Sequence, residues 1–135
     1  MNTPSTAPVP EDIVLHQSSN QLELVYGSGE RHMVSVELMR LFSPSAEVQG
    51  HGPGQETLQT GKRGVRITAI EPVGTYALQP RFSDGHDSGL FTWALLYDMA
   101  VNAERYWSRY EAMLVAAGRQ RDDAMPEPAV RSCGA

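Results

Sequence analysis

Residues 21–36, QLELVYGSGERHMVSV, decide the fold. Leu22, Leu24 and Tyr26 alternate with Gln21, Glu23 and Val25, the period-2 pattern of a strand with one face inward. Gly27-Ser28-Gly29 supplies the positive φ angles that a tight hairpin connection needs, and His32 to Val36 returns as the next strand. Just upstream, Ile13 and Leu15 alternate with Val14 and His16 in a further short strand. Downstream, Ser35 is placed to cap a short helix running through Phe42. That helix stops there, because Pro44 disfavours the α region for Ser43.

The same alternation resumes after a long connection. Residues 43–64 carry five glycines and two prolines and show no period, a length that suits a functional loop. Val65, Ile67 and Ala69 then read as a strand, Pro72-Val73-Gly74-Thr75 as a turn, and Tyr76, Leu78 and Pro80 to Phe82 as the returning strand. Pro80 places that strand's end at a sheet edge or bulge. The cluster at 83–89, SDGHDSG, leads into the longest helix, with Asp87 or Ser88 as its cap. From Leu90 to Ala117, apolar residues including Trp93, Leu96, Ala100, Trp107, Tyr110 and Leu114 recur at three- and four-residue steps, and Gly118 ends the run. The expected fold is α+β: a small, mostly antiparallel sheet, with a short helix and a long C-terminal helix packed mainly on one face.

The chain's 135 residues suit one domain, expected over residues 11–118. Residues 1–10 and 119–135 are polar and Pro-bearing, and read as a disordered arm and tail. A net charge of −5 argues against nucleic acid and against a basic membrane-surface helix. The lone Cys133 cannot form an internal disulfide or a Cys-rich metal site. No signal peptide and no membrane-length apolar run is visible, so a cytoplasmic location is expected. The partner to expect is another protein; the oligomeric state is not legible.

Two Gly-rich loops each present a histidine: His51 with Gly52, Gly54 and Gln55, and His86 with Asp84 and Asp87. Glycines allow close approach to a ligand, and a carboxylate beside an imidazole raises its basicity. These seven residues are the candidate binding set, expected to form one exposed surface with the two histidines close together. The alternative is a metal site, or a small metal-dependent enzyme, using His51, His86 and a carboxylate from Asp84, Asp87 or Glu47. Turn chemistry is the plainer account, with Asp84 and Asp87 shaping a turn and a cap while His86 bonds backbone. No catalytic residue and no cofactor is expected. Lys62, Arg63 and Arg66 read as a solvated patch, since Glu56 and Arg63 break the phosphate-loop pattern. His16, His32, Trp93 and Trp107 read as structural.

Three stretches carry a family resemblance: residues 38–52 (LMRLFSPSAEVQGHG), 70–78 (IEPVGTYAL) and 82–90 (FSDGHDSGL). Together they resemble DUF971, the gamma-butyrobetaine hydroxylase-like N-terminal domain, over about residues 11–118. The resemblance implies an α+β module that occurs alone in bacteria, ahead of 2-oxoglutarate-dependent oxygenases, and fused to P-loop iron–sulfur carrier ATPases. It implies a non-enzymatic binding or adaptor role, linked to metal or iron–sulfur protein maturation. The hydroxylase version binds zinc through a Cys-x-Cys-x-x-Cys cluster and a later histidine. Those positions fall on Ser43, Ser45, Val48 and His86, so three of the four ligands are missing and zinc is not expected. The oxygenase reaction belongs to a separate, larger domain that this sequence does not contain.

Overall fold

The computed structural model describes residues 8–45, 48 and 58–124. Three strands come first: β1 (Asp12–His16), β2 (Gln21–Val25) and β3 (Arg31–Ser35). They pair antiparallel in the order β1-β2-β3, with Leu22 opposite Val34 and Leu24 opposite His32. Leu22 and Leu24 are fully buried, as their alternation requires. Gly29 takes φ 95° in the hairpin, where a side chain would be strained. Helix α1 (Val36–Leu41) follows at once, and the Ser35 Oγ accepts the Leu38 N–H at 3.2 Å as its cap.

The second group is β4 (Ile67–Val73), β5 (Ala77–Phe82) and the two-residue β6 (Phe91–Thr92), again antiparallel, in the order β4-β5-β6. Gly74, at φ 55°, makes the turn between β4 and β5. Pro80 is tolerated in the middle strand because β6 pairs only with Ala77 and Leu78, leaving that side of Pro80 open. The strands are therefore antiparallel throughout, as expected, but they divide into two three-stranded sheets. Side chains couple the two: Gln17 Nε2 donates to the Ile67 carbonyl at 3.2 Å, and Asn20 Nδ2 to the Val65 carbonyl at 2.9 Å. One core serves both sheets, joining Leu22, Leu24 and Val34 to Ile67, Leu78 and Phe82, with Leu38, Met39, Leu96 and Met99 from the helices.

Two boundary readings are corrected. The expected long helix is two helices, α2 (Trp93–Val101) and α3 (Ala103–Ala117). Its first residues are drawn out instead as β6, which buries Phe91 completely, so Thr92 caps α2 and neither Asp87 nor Ser88 does. The break falls at Asn102, whose backbone N–H bonds the Asp98 carbonyl while its side-chain amide holds the Asp98 carboxylate at 2.6 Å. Gly118 ends α3 in the left-handed region, as the sequence indicates.

The second correction concerns the tail. Residues 119–124 are not loose: they strap the segment around Gly61 to the helices. The Gly61 N–H donates to the Arg121 carbonyl at 2.8 Å, and Arg119 reaches the Thr60 hydroxyl at 2.9 Å. Arg121 pairs with the buried Glu37 of α1 and lies over the Trp107 ring. A charge placed over an aromatic face and against a carboxylate leaves no periodic signature, so composition alone misses it. Among the described residues, no helix is long and apolar enough to cross a membrane.

Candidate functional site

Two segments that sequence spacing sets far apart meet below α1. The first is the exit from α1, where the chain turns at Pro44 and buries Ser43 and Ser45 on either side of it. The second is the turn after β5. There Gly85 (φ 93°) donates its N–H to the Phe82 carbonyl at 2.9 Å, and the Phe82 N–H bonds the His86 carbonyl at 2.9 Å. This tight reversal turns His86 inward, where it is only 5% exposed, against the ring of Phe82.

His86 Nε2 sits 2.8 Å from the Ser43 Oγ and 3.3 Å from the Ser45 Oγ. A hydroxyl both donates and accepts, so these contacts can be made by either imidazole tautomer. Val48 is buried as well, and its N–H bonds back to the Ser45 carbonyl at 3.1 Å. Gly89 closes the wall: a β-carbon there would stand 2.2 Å from the Ser43 Oγ. A serine bonded to a histidine resembles an activated nucleophile, but Ser43 is 0% exposed, and no substrate carbonyl reaches it.

Beside this cluster, Asp84 accepts from Arg40 Nε and from Lys62 Nζ, each at 2.8 Å, and from the His86 backbone N–H at 3.2 Å. Burial works against its charge. The Lys62 and Arg40 cations and the His86 N–H outweigh that, and hold the carboxyl at about 2. Asp84 is thus the electrostatic clamp between α1, the 58–64 segment and the turn.

The expected site is only partly met. Asp84 and His86 lie together, but His86 is buried, which overturns the expected exposure; packing between two buried hydroxyls is the reason for its choice. Asp87 is exposed, and its carbonyl accepts from Gln79 Nε2 at 2.7 Å. His51, Gly52, Gly54 and Gln55, with Glu47, lie outside the described residues. Lys62, Arg63 and Arg66 are not a free patch: Lys62 pairs with Asp84, Arg63 with Asp122, and Arg66 bonds the Gln17 carbonyl. Arg40 and Lys62 were not legible as partners of Asp84, since neither spacing nor motif links positions 40, 62 and 84.

The four positions implied for zinc, 43, 45, 48 and 86, are all buried. The residues present do not fit the metal. Two neutral hydroxyls and a valine lack the thiolate charge that zinc selects, and the imidazole nitrogen already holds the hydroxyls. Among the described residues, no group of three His, Cys, Asp or Glu side chains is placed to hold a metal ion.

Comparison with known proteins places the chain. No curated protein matches it. A structure solved by NMR in solution is 42% identical, with 98% of each chain covered and a TM-score of 0.76. A second NMR structure is 44% identical over 92% of this chain and 98% of its own, at a TM-score of 0.72. A crystal structure of a DUF971 protein of unknown function from Acidithiobacillus ferrooxidans is 33% identical, covering 70% of this chain and 93% of its own, at 0.54. The family model described as gamma-butyrobetaine hydroxylase-like, N-terminal matches residues 13–97, and with these likenesses it shows that the chain belongs to that family.

Proposed function

We propose that the protein is a non-enzymatic binding module that presents the turn at 83–90 to another protein. One observation carries the reading: among the described candidate residues, the groups best suited to chemistry, His86 and Asp84, are spent inside the fold. His86 is buried between two serines, and Asp84 is committed to two cations. What this leaves outside is a pinned surface. Ser83, Gly85, Asp87, Ser88 and Leu90 point outward from a turn whose backbone is fixed at Phe82, His86 and Asp87. A rigid turn with an exposed leucine and a carboxylate loses little entropy on docking, which favours recognition. The family's occurrence beside oxygenases and iron–sulfur carriers supports a role in metal or iron–sulfur protein maturation.

The test uses the full chain, immobilised, with cell lysate as the partner source. The paired substitution Asp87→Lys with Leu90→Asp removes the partner captured by the unaltered chain and leaves the melting temperature in place. Equal capture by both chains moves the binding face elsewhere and overturns this assignment.

A further inference from the structure

We propose that the Ser43–His86–Ser45 cluster is a metal-free replacement for a zinc centre, with hydrogen bonds doing the cross-linking that metal–ligand bonds would do. The cluster joins two segments over 43 positions, Ser43 to His86. Residues 43, 45, 48 and 86 are exposed by 0%, 4%, 3% and 5%, so the set is a closed interior joint.

Its dimensions suit hydrogen bonds. Zinc with oxygen and nitrogen each at about 2.0 Å, at tetrahedral angles, sets the two donors roughly 3.3 Å apart. Here the Ser43 hydroxyl lies 2.8 Å from the His86 nitrogen, closer than a metal between them requires, while the Ser45 hydroxyl lies at 3.3 Å. The wall is equally tight, since Gly89 approaches the Ser43 hydroxyl more closely than any β-carbon would allow. Among the described residues, no neighbouring carboxylate completes a donor set. Asp84 would have to leave both Arg40 and Lys62 to do so. Position 48 supplies only hydrocarbon. The arrangement retains a buried joint at these four positions and dispenses with the ion.

Two kinds of measurement test this on the full chain. The unaltered protein is titrated with Zn²⁺ and, separately, treated with a chelator, while the His86 ring resonances and the melting temperature are followed. Neither changes. Stoichiometric zinc that shifts the His86 resonances overturns the proposal. The second arm restores thiolates with Ser43→Cys, Ser45→Cys and Val48→Cys together, and titrates reduced protein with Co²⁺. One equivalent binds, with the intense visible bands of tetrahedral cobalt, at least about 1,000-fold tighter than to the unaltered chain. A folded triple variant that binds cobalt no better also overturns it. Should the triple variant fold only when refolded with zinc, the joint has been converted to a metal joint, as proposed; failure to fold even with zinc counts against it. In the unaltered background, His86→Gln keeps an amide within reach of the hydroxyls and recovers part of the fall in melting temperature expected for His86→Ala. A ligand role for His86 predicts no such recovery.

Discussion

The Arg121 guanidinium lies 4.7 Å from the centre of the Trp107 ring and bonds both carboxylate oxygens of Glu37. The Glu37 side chain is 5% exposed and that of Arg121 36%. Breaking a fully buried pair costs roughly 3–5 kcal/mol; the partial exposure of Arg121 brings the expectation for Arg121→Ala down to about 2 kcal/mol. Truncation after Gly118 costs at least as much. Urea unfolding measures both, and an unchanged midpoint would show that the strap is idle.

His86→Ala removes the imidazole from between two buried hydroxyls. Stranded polar groups of this kind cost about 1–3 kcal/mol, so the variant is less stable by that amount. A variant as stable as the parent would return His86 to the surface role read from its glycine neighbours.

Gly89→Ala puts a methyl group where the Ser43 Oγ stands, with Pro44 and Phe91 within 3.4 Å as well. The serine must move, and its bond to His86 goes with it. We expect a loss of about 1–3 kcal/mol, with a changed His86 environment visible by NMR. Gly64→Ala is the control, since nothing lies within 4 Å of a β-carbon there.

Asp84 gives the fold a pH dependence of known sign. Its carboxyl ionises at about 2 in the folded chain, below the ordinary 3.8, so the folded state favours the charged form. The associated stability, about 2 kcal/mol, is fully present above pH 4 and is lost as pH falls toward 2. Asp84→Asn should therefore be less stable than the parent at neutral pH and converge on it near pH 2. Parallel curves across that range would remove Asp84 from the account.

Tyr106 is pushed up to about 12, by burial first and then by its hydrogen bond to Asp98. Spectrophotometric titration of the tyrosines should show Tyr106 in a late step, well after an ordinary phenol, with burial also raising Tyr26 and Tyr110. In Asp98→Asn that late step moves to lower pH, because the charge opposing phenolate formation is gone.

Local chemistry was the legible part. Ser35 caps α1, Gly29 and Gly74 take positive φ, and Gly118 stops α3, because each is decided within a few residues of itself. The break at Asn102 was hidden. Asp98, Asn102 and Tyr106 keep helical spacing, and the apolar stripe runs across the joint without a change of period. His86 misled for a different cause: glycine neighbours suggest an exposed loop, whereas Gly85 serves to fold the turn and Gly89 to admit Ser43. Asp84 was legible as a turn residue, but its two cations stand 44 and 22 positions away, beyond any spacing rule.

The Glu37–Arg121 pair spans 84 positions, and this sets the order in which the protein can be completed. A chain emerges from its N-terminal end at roughly 5–20 residues per second, so Glu37 precedes its cation by roughly 4–17 s. During that interval the first sheet can pair, since its hairpins are local, while α1 carries a carboxylate that burial would penalise. The first sheet is thus a scaffold made early, and the strap is its final latch. Whatever intercepts the nascent chain before residue 121 meets an unlatched α1.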